Sequence, residues 1–89
     1  MLAVITVTGK DTVGVLAKVS GECAAVGANI IDVSQTVMQG LFAMIMMVEI
    51  DNINCDFTAM VDRMESLGAG MGYVIHVMHE DIFNAMHRI

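Results

Sequence analysis

The 89-residue chain has a formal charge of −6, only four basic side chains, 56% apolar residues and no proline. So few Lys and Arg argue against binding a phosphate backbone, which relies on clustered positive charge. A chain this short buries only about 60% of its unfolded surface, so an apolar fraction above the usual 45–50% or so points to one small domain, residues 1–89, that associates with copies of itself.

No apolar run approaches the roughly 20 residues that span a bilayer, and the first residues lack the basic region and cleavage pattern of a secretory signal. The expectation is a cytoplasmic protein that does not engage a membrane. Cys23 and Cys55 form no CxxC pair and fall in or at the start of helical segments. Buried, reduced thiols are expected rather than a disulfide or a metal site.

In chain order, Leu2 to Thr8 reads as a strand of apolar and β-branched residues, broken by the turn formers Gly9-Lys10-Asp11-Thr12. A helix over Val13 to Val26 follows, with Asp11 or Thr12 as its cap and Leu16, Val19, Cys23 and Val26 as its apolar stripe. Its free first-turn N–H groups would suit a small anionic group. Gly14 in a first turn costs up to about 1 kcal/mol against alanine, which suggests close approach of a backbone or a ligand. Gly27 is the expected C-cap.

A half-polar strand, Asn29 to Met38, suits a sheet edge, with Ile31, Val33 and Val37 on one side and Ile30, Asp32, Ser34 and Thr36 mostly on the other. Gln39-Gly40 turns it into an antiparallel strand, Leu41 to Ile50. That strand is apolar on both faces, with Phe42, Met44, Met46 and Val48 on one and Leu41, Ala43, Ile45 and Met47 on the other, and so is central. The loop Asp51-Asn52-Ile53-Asn54 ends in a cap. A second helix, Cys55 to Leu67, carries Phe57, Met60, Val61, Met64 and Leu67 as its buried stripe. Gly68-Ala69-Gly70 ends it, a fourth strand covers Met71 to Met78, and the tail over 79–89 reads as a helix from Glu80 with Ile82, Phe83 and Met86 on one side, docking on the domain or on a neighbouring subunit.

The order βαββαβ plus a C-terminal helix, with right-handed crossovers, gives an α+β ferredoxin-like sandwich: a four-stranded antiparallel sheet with both main helices on one face. The other face is bare. It or a sheet edge should be an interface.

Enzymatic chemistry is not expected. No nucleophile lies beside a base in a known motif, no glycine loop suits a phosphate, and no acid pair shares a face. His76 and His79, three residues apart on a strand, point to opposite faces and are unlikely metal partners by spacing. The ten methionines read as packing: Met44, Met46, Met60 and Met64 occupy core positions. An RNA-recognition module of the same element order needs exposed aromatics and positive charge, and Phe42 alone does not supply them. No cofactor is expected.

Val7-Thr8-Gly9-Lys10-Asp11-Thr12-Val13-Gly14-Val15-Leu16, then Gly27-Ala28-Asn29-Ile30, then Ser34-Gln35-Thr36 resembles the ACT domain over nearly the whole chain, and the small stand-alone ACT proteins most of all. The resemblance implies regulation by a small molecule, most often an amino acid, bound at an interface between two such domains; the reading is then a homodimer or higher oligomer whose output passes through a partner, such as an unidentified enzyme, or through an oligomeric change. It also implies a ligand site built from Asp11, Thr12, Val13, Gly14, Val15, Leu16, Asn29 and Ile30. In that site the N–H groups around Val13 to Leu16 would hold a carboxylate and the Asn29 amide would meet the α-substituents. Asp11 would either meet an ammonium or cap the helix. The chain departs from familiar amino-acid binders at Asp11, where some have asparagine, and at Val13, where many have proline. Since the second strand runs parallel to the first, Asn29 and the turn belong to opposite ends of one sheet, and only a second subunit can unite them. The alternative is a ligand-free interaction and oligomerisation module using the bare face or the strand edge.

Overall fold

The computed structural model describes residues 1–10 and 14–86. The elements are β1 (Leu2–Lys10), α1 (Val15–Val26), β2 (Asn29–Met38), β3 (Leu41–Glu49), α2 (Phe57–Met71), β4 (Val74–His79) and α3 (Glu80–Met86). Every neighbouring pair of strands is antiparallel, in the order β2-β3-β1-β4, so β1 and β2 are parallel to each other and β2 and β4 are the edges. This is the expected ferredoxin-like arrangement, with β3 central.

Alternation along the strands decides which side chains meet the helices. Ala3, Ile5 and Val7 of β1, Phe42, Met44, Met46 and Val48 of β3, and Ile75 of β4 are buried against Val15, Val19, Cys23 and Val26 of α1 and Met60 and Met64 of α2. Leu16, Phe57 and Leu67 pack at the margin of this core. Val4, on the opposite face of β1, is also inaccessible; α3 folds back onto β1 and β4. Phe83 of α3 is half-buried, but Ile82 and Met86 are exposed, so the expected three-residue stripe is only partly used. His87, Arg88 and Ile89 lie outside the described residues.

Several boundaries differ from the sequence expectation for identifiable reasons. β1 does not stop at Thr8: Gly9 and Lys10 remain paired with Phe42 and Leu41. α1 opens at Val15 rather than Val13, because Gly14 stands before it with φ 87°, a left-handed conformation no residue inside a right-handed helix adopts. Its C-terminus is as expected: the N–H of left-handed Gly27 donates to Ala24 O and that of Ala28 to Cys23 O, the paired bonds of a Schellman cap.

In β2 an irregularity between Ile30 and Asp32 leaves Ile31 unpaired. One extra residue reverses the alternation. Ile30 therefore lies on the helix side with Val33, Gln35 and Val37, while Asp32, Ser34 and Thr36 face the open side. The expected partition, with Ile30 among the polar residues and Ile31 opposite, is corrected at that point.

α2 begins after Asp56, two residues later than expected, and runs through Gly68-Ala69-Gly70 to Met71. Gly68 is a packing residue rather than a stop: a Cβ there would meet Ile75 Cγ1 at 2.7 Å and Tyr73 O at 2.8 Å. The true C-cap is left-handed Gly72, so β4 opens at Val74 rather than Met71.

Candidate functional site

Of the residues expected to hold a ligand, Asp11, Thr12 and Val13 lie outside the described residues, and so do the expected roles of Asp11 and Thr12 as caps. Gly14 is exposed at the N-terminus of α1 and makes no side-chain cap. The first backbone bond of the helix runs from the Lys18 N–H to Gly14 O at 3.1 Å. The N–H groups of Val15, Leu16 and Ala17 therefore have no acceptor within α1. A Cβ on Gly14 would have nothing within 4 Å among the described residues, so its positive φ is what calls for glycine.

Val15 is 5% exposed and belongs to the core, and Leu16 is half-buried. Asn29 is exposed, and Ile30 is half-buried on the helix side of the edge strand.

Asn29 pairs with Glu49, which pairs with Leu2 at the start of β1, whereas the turn follows Lys10 at the other end. Eight residue steps at about 3.3 Å each separate those ends by about 26 Å along the strand direction. The N-terminus of α1 and Asn29 are thus not brought together within one chain.

The structure brings another segment to the end of β1, one that sequence reasoning passed over. Lys10 is beside Leu41, which is beside Met38, so the β2–β3 hairpin sits at the exit of β1. Its two central residues, Gln39 (φ 52°) and Gly40 (φ 82°), are both left-handed, as a type I′ turn requires. Lys10, Gln39, Gly40 and Leu41 line an open cleft of about 490 Å³. The antiparallel order of the strands was signal enough to place this hairpin there.

His76 and His79 lie on opposite faces as expected. His79 stacks on Phe57 of α2 with ring centroids 4.3 Å apart, while His76 is exposed beside Thr6 on the open side. Both cysteines are free; Cys23 is buried, and burial first and Glu22 second push its thiol up to about 11.

Residues 1–77 match the family model of the ACT domain. The chain belongs to the ACT domain family. A UPF0237 protein of Methanococcus maripaludis is 48% identical over 86 residues, covering 97% of this chain and 96% of that one. A UPF0237 protein of Listeria monocytogenes is 45% identical over 89 residues and the whole of both chains. Among solved structures, an ACT domain protein from Streptococcus pneumoniae superimposes with a TM-score of 0.82 at 41% identity, covering 98% of each chain. The ACT fold of this chain is therefore shared over 98% of its length with that Streptococcus pneumoniae protein.

Proposed function

We propose that this ACT domain is a regulatory sensor without catalytic activity of its own, binding an amino acid or a related metabolite where two copies meet. The observation that carries this reading is the separation of its two candidate half-sites: helix N–H groups with no acceptor within α1, beside Gly14 at one end of the sheet, and the exposed Asn29 amide at the other. A two-fold axis perpendicular to the strands reverses their direction, and one so placed would bring Asn29 of a second copy to the turn end of the first.

The β2 edge offers a route to such a dimer. It is ten residues long, lacks proline, carries one charge, Asp32, and exposes Ile31, Val37 and Met38. An edge of that kind is a template for another strand. Antiparallel pairing of β2 with its copy would set Asn29 of one chain alongside Met38 of the other, next to the hairpin and the exit of β1.

A ligand shifts an oligomeric or partner equilibrium only through its different affinity for the two states, so the output of such a sensor lies in an enzyme partner or in assembly. Thermal unfolding with each common amino acid in millimolar excess tests the reading. A ligand at a hundred times its Kd adds about 2.7 kcal/mol, several degrees for a domain of this size. One selective shift, lost in Asn29→Ala, is the expected result; a panel with no shift removes amino acids as ligands.

The open sheet face supports a second reading, a ligand-free interaction module. Met38, Leu41, Ile45 and Val74 are each 45% or more exposed on one side of the sheet. Retained association in a chain that binds no metabolite would favour it.

A further inference from the structure

The last pair between β1 and β4 is Thr8 with Val74, yet β1 continues to Lys10, held on its other side by Phe42 and Leu41. On the β4 side one side chain takes the place of the missing strand. Tyr73, 5% exposed, lays its ring over Gly9, where a Cβ would come within 2.7 Å of the ring. The ring meets Phe42 edge-on, with centroids 6.1 Å apart and planes at 78°. Its hydroxyl donates to the carbonyl oxygen of Lys10. The base of this side chain is fixed as well: Gly72 is the left-handed cap of α2, and the Tyr73 N–H closes that cap on Gly68 O at 2.8 Å.

We infer that Tyr73 is a positioning residue for the ligand site, holding the last carbonyl of β1 and so the direction in which the chain leaves the sheet toward Gly14. As a statement about ligand binding this rests on the sensor reading proposed above. The physical reason is that the pairing of β1 with β4 stops at Thr8, two residues short of the end of β1 at Lys10. A carbonyl at the end of a strand is held more firmly when a donor reaches it, and the Tyr73 hydroxyl is such a donor. The Tyr73 hydroxyl extends the hydrogen-bonded ladder one bond past the end of β4, and Gly9 is what lets the ring reach that far. The N–H groups at the start of α1 are useful to an anion only if they converge on one point, and Lys10 is the last residue of β1 before the chain connects to them.

Tyr73→Phe tests this, because it keeps the ring over Gly9 and against Phe42 and removes only the donor. The free protein is followed by amide NMR. In the variant, order parameters at Gly14, Val15 and Leu16 fall, and the Lys18 N–H exchanges about five- to tenfold faster than in the wild type, the effect of losing one net hydrogen bond. Amides of Met44 and Met46 in the core keep their wild-type values. Unchanged order at Gly14 to Leu16, or an acceleration shared equally by Lys18 and the β3 amides, overturns the inference, the second because it marks a general loss of stability. The amino-acid panel is then run on both proteins: any amino acid that raises the wild-type midpoint must raise that of Tyr73→Phe by less, and an equal rise overturns the role in binding. A panel that moves neither protein counts against the sensor reading, and with it the role in binding, while the NMR comparison alone decides whether Tyr73 positions the turn.

Discussion

Asn29 and Gly14 stand at opposite ends of the same sheet, Asn29 level with the first residue of β1 and Gly14 four residues beyond its last. If each site takes its turn from one copy and its amide from the other, two defective variants can complement. Gly14→Ala and Asn29→Ala homodimers are each expected to lose ligand response. In a mixed dimer one site combines both defects and the other combines neither. Random exchange of subunits makes half the dimers mixed, so about one quarter of all sites recover in an equal mixture. Calorimetric titration of the mixture measures that fraction. No recovery after demonstrated exchange refutes a shared site.

The two substitutions should differ in what they do to the fold. Alanine at Gly14 would have to hold φ 87°, which costs an L-residue about 1–2 kcal/mol. Asn29 is exposed, and its truncation should change stability by no more than about 0.5 kcal/mol. Urea unfolding of the single variants checks this ordering. Asn29→Ala is accordingly the cleaner probe of binding.

The element order, the central β3, the edge position of β2 and the two-ended layout of the candidate site were legible because each rests on a periodicity or on connection length. Alternation from Phe42 to Val48 named the buried face of β3 correctly. What escaped depended on contacts between distant residues. Gly68 looks like a stop signal, and only the approach of Ile75 and Tyr73 makes it a packing residue inside a continuing helix. The extra residue at Ile31 carries no glycine to mark it, so the phase of β2 was misread. Tyr73 was missed because its partners, Gly9 and Lys10, lie more than sixty positions away.

The methionines of the core are held by packing, and this has a measurable consequence. Met64 is fully buried in α2. Met64→Leu nearly conserves volume and should cost less than about 1.5 kcal/mol, whereas Met64→Ala leaves a cavity and should cost about 2–5 kcal/mol. Denaturant midpoints of the two variants give the comparison. If leucine costs as much as alanine, packing volume is not what the site requires of Met64.

Edge and face can be separated as routes of association. A lysine at Val37 puts charge on the β2 edge strand, and Ile45→Asp puts charge in the middle of the open face. With dimerisation through β2, Val37→Lys should weaken the dimer by at least about tenfold in Kd, roughly 1.4 kcal/mol, and Ile45→Asp should leave it nearly unchanged. Sedimentation equilibrium reads both. The reverse pattern would move the interface to the open face and strengthen the ligand-free reading.

Cys23 makes stability depend on alkaline pH. Burial, with a smaller contribution from Glu22, raises its thiol from the ordinary 9.0 to about 11 in the folded protein. Below pH 9 the thiol is protonated in both folded and unfolded chains, and its contribution is fully present. Between about 9 and 11 the unfolded chain gives up the proton while the folded chain retains it, so the unfolded state is favoured progressively. The loss is complete once pH passes the folded value and amounts to at most about 2–3 kcal/mol. Urea unfolding at about pH 8 and about pH 10 should show a larger drop for the wild type than for Cys23→Ala, which lacks the group; the comparison subtracts every other pH effect common to both. Alkylation provides an independent check: half-buried Cys55 should react first, and Cys23 only at the rate at which the domain opens. Equal pH dependence in the two proteins would mean that the Cys23 thiol is no harder to ionise in the folded core than in the open chain.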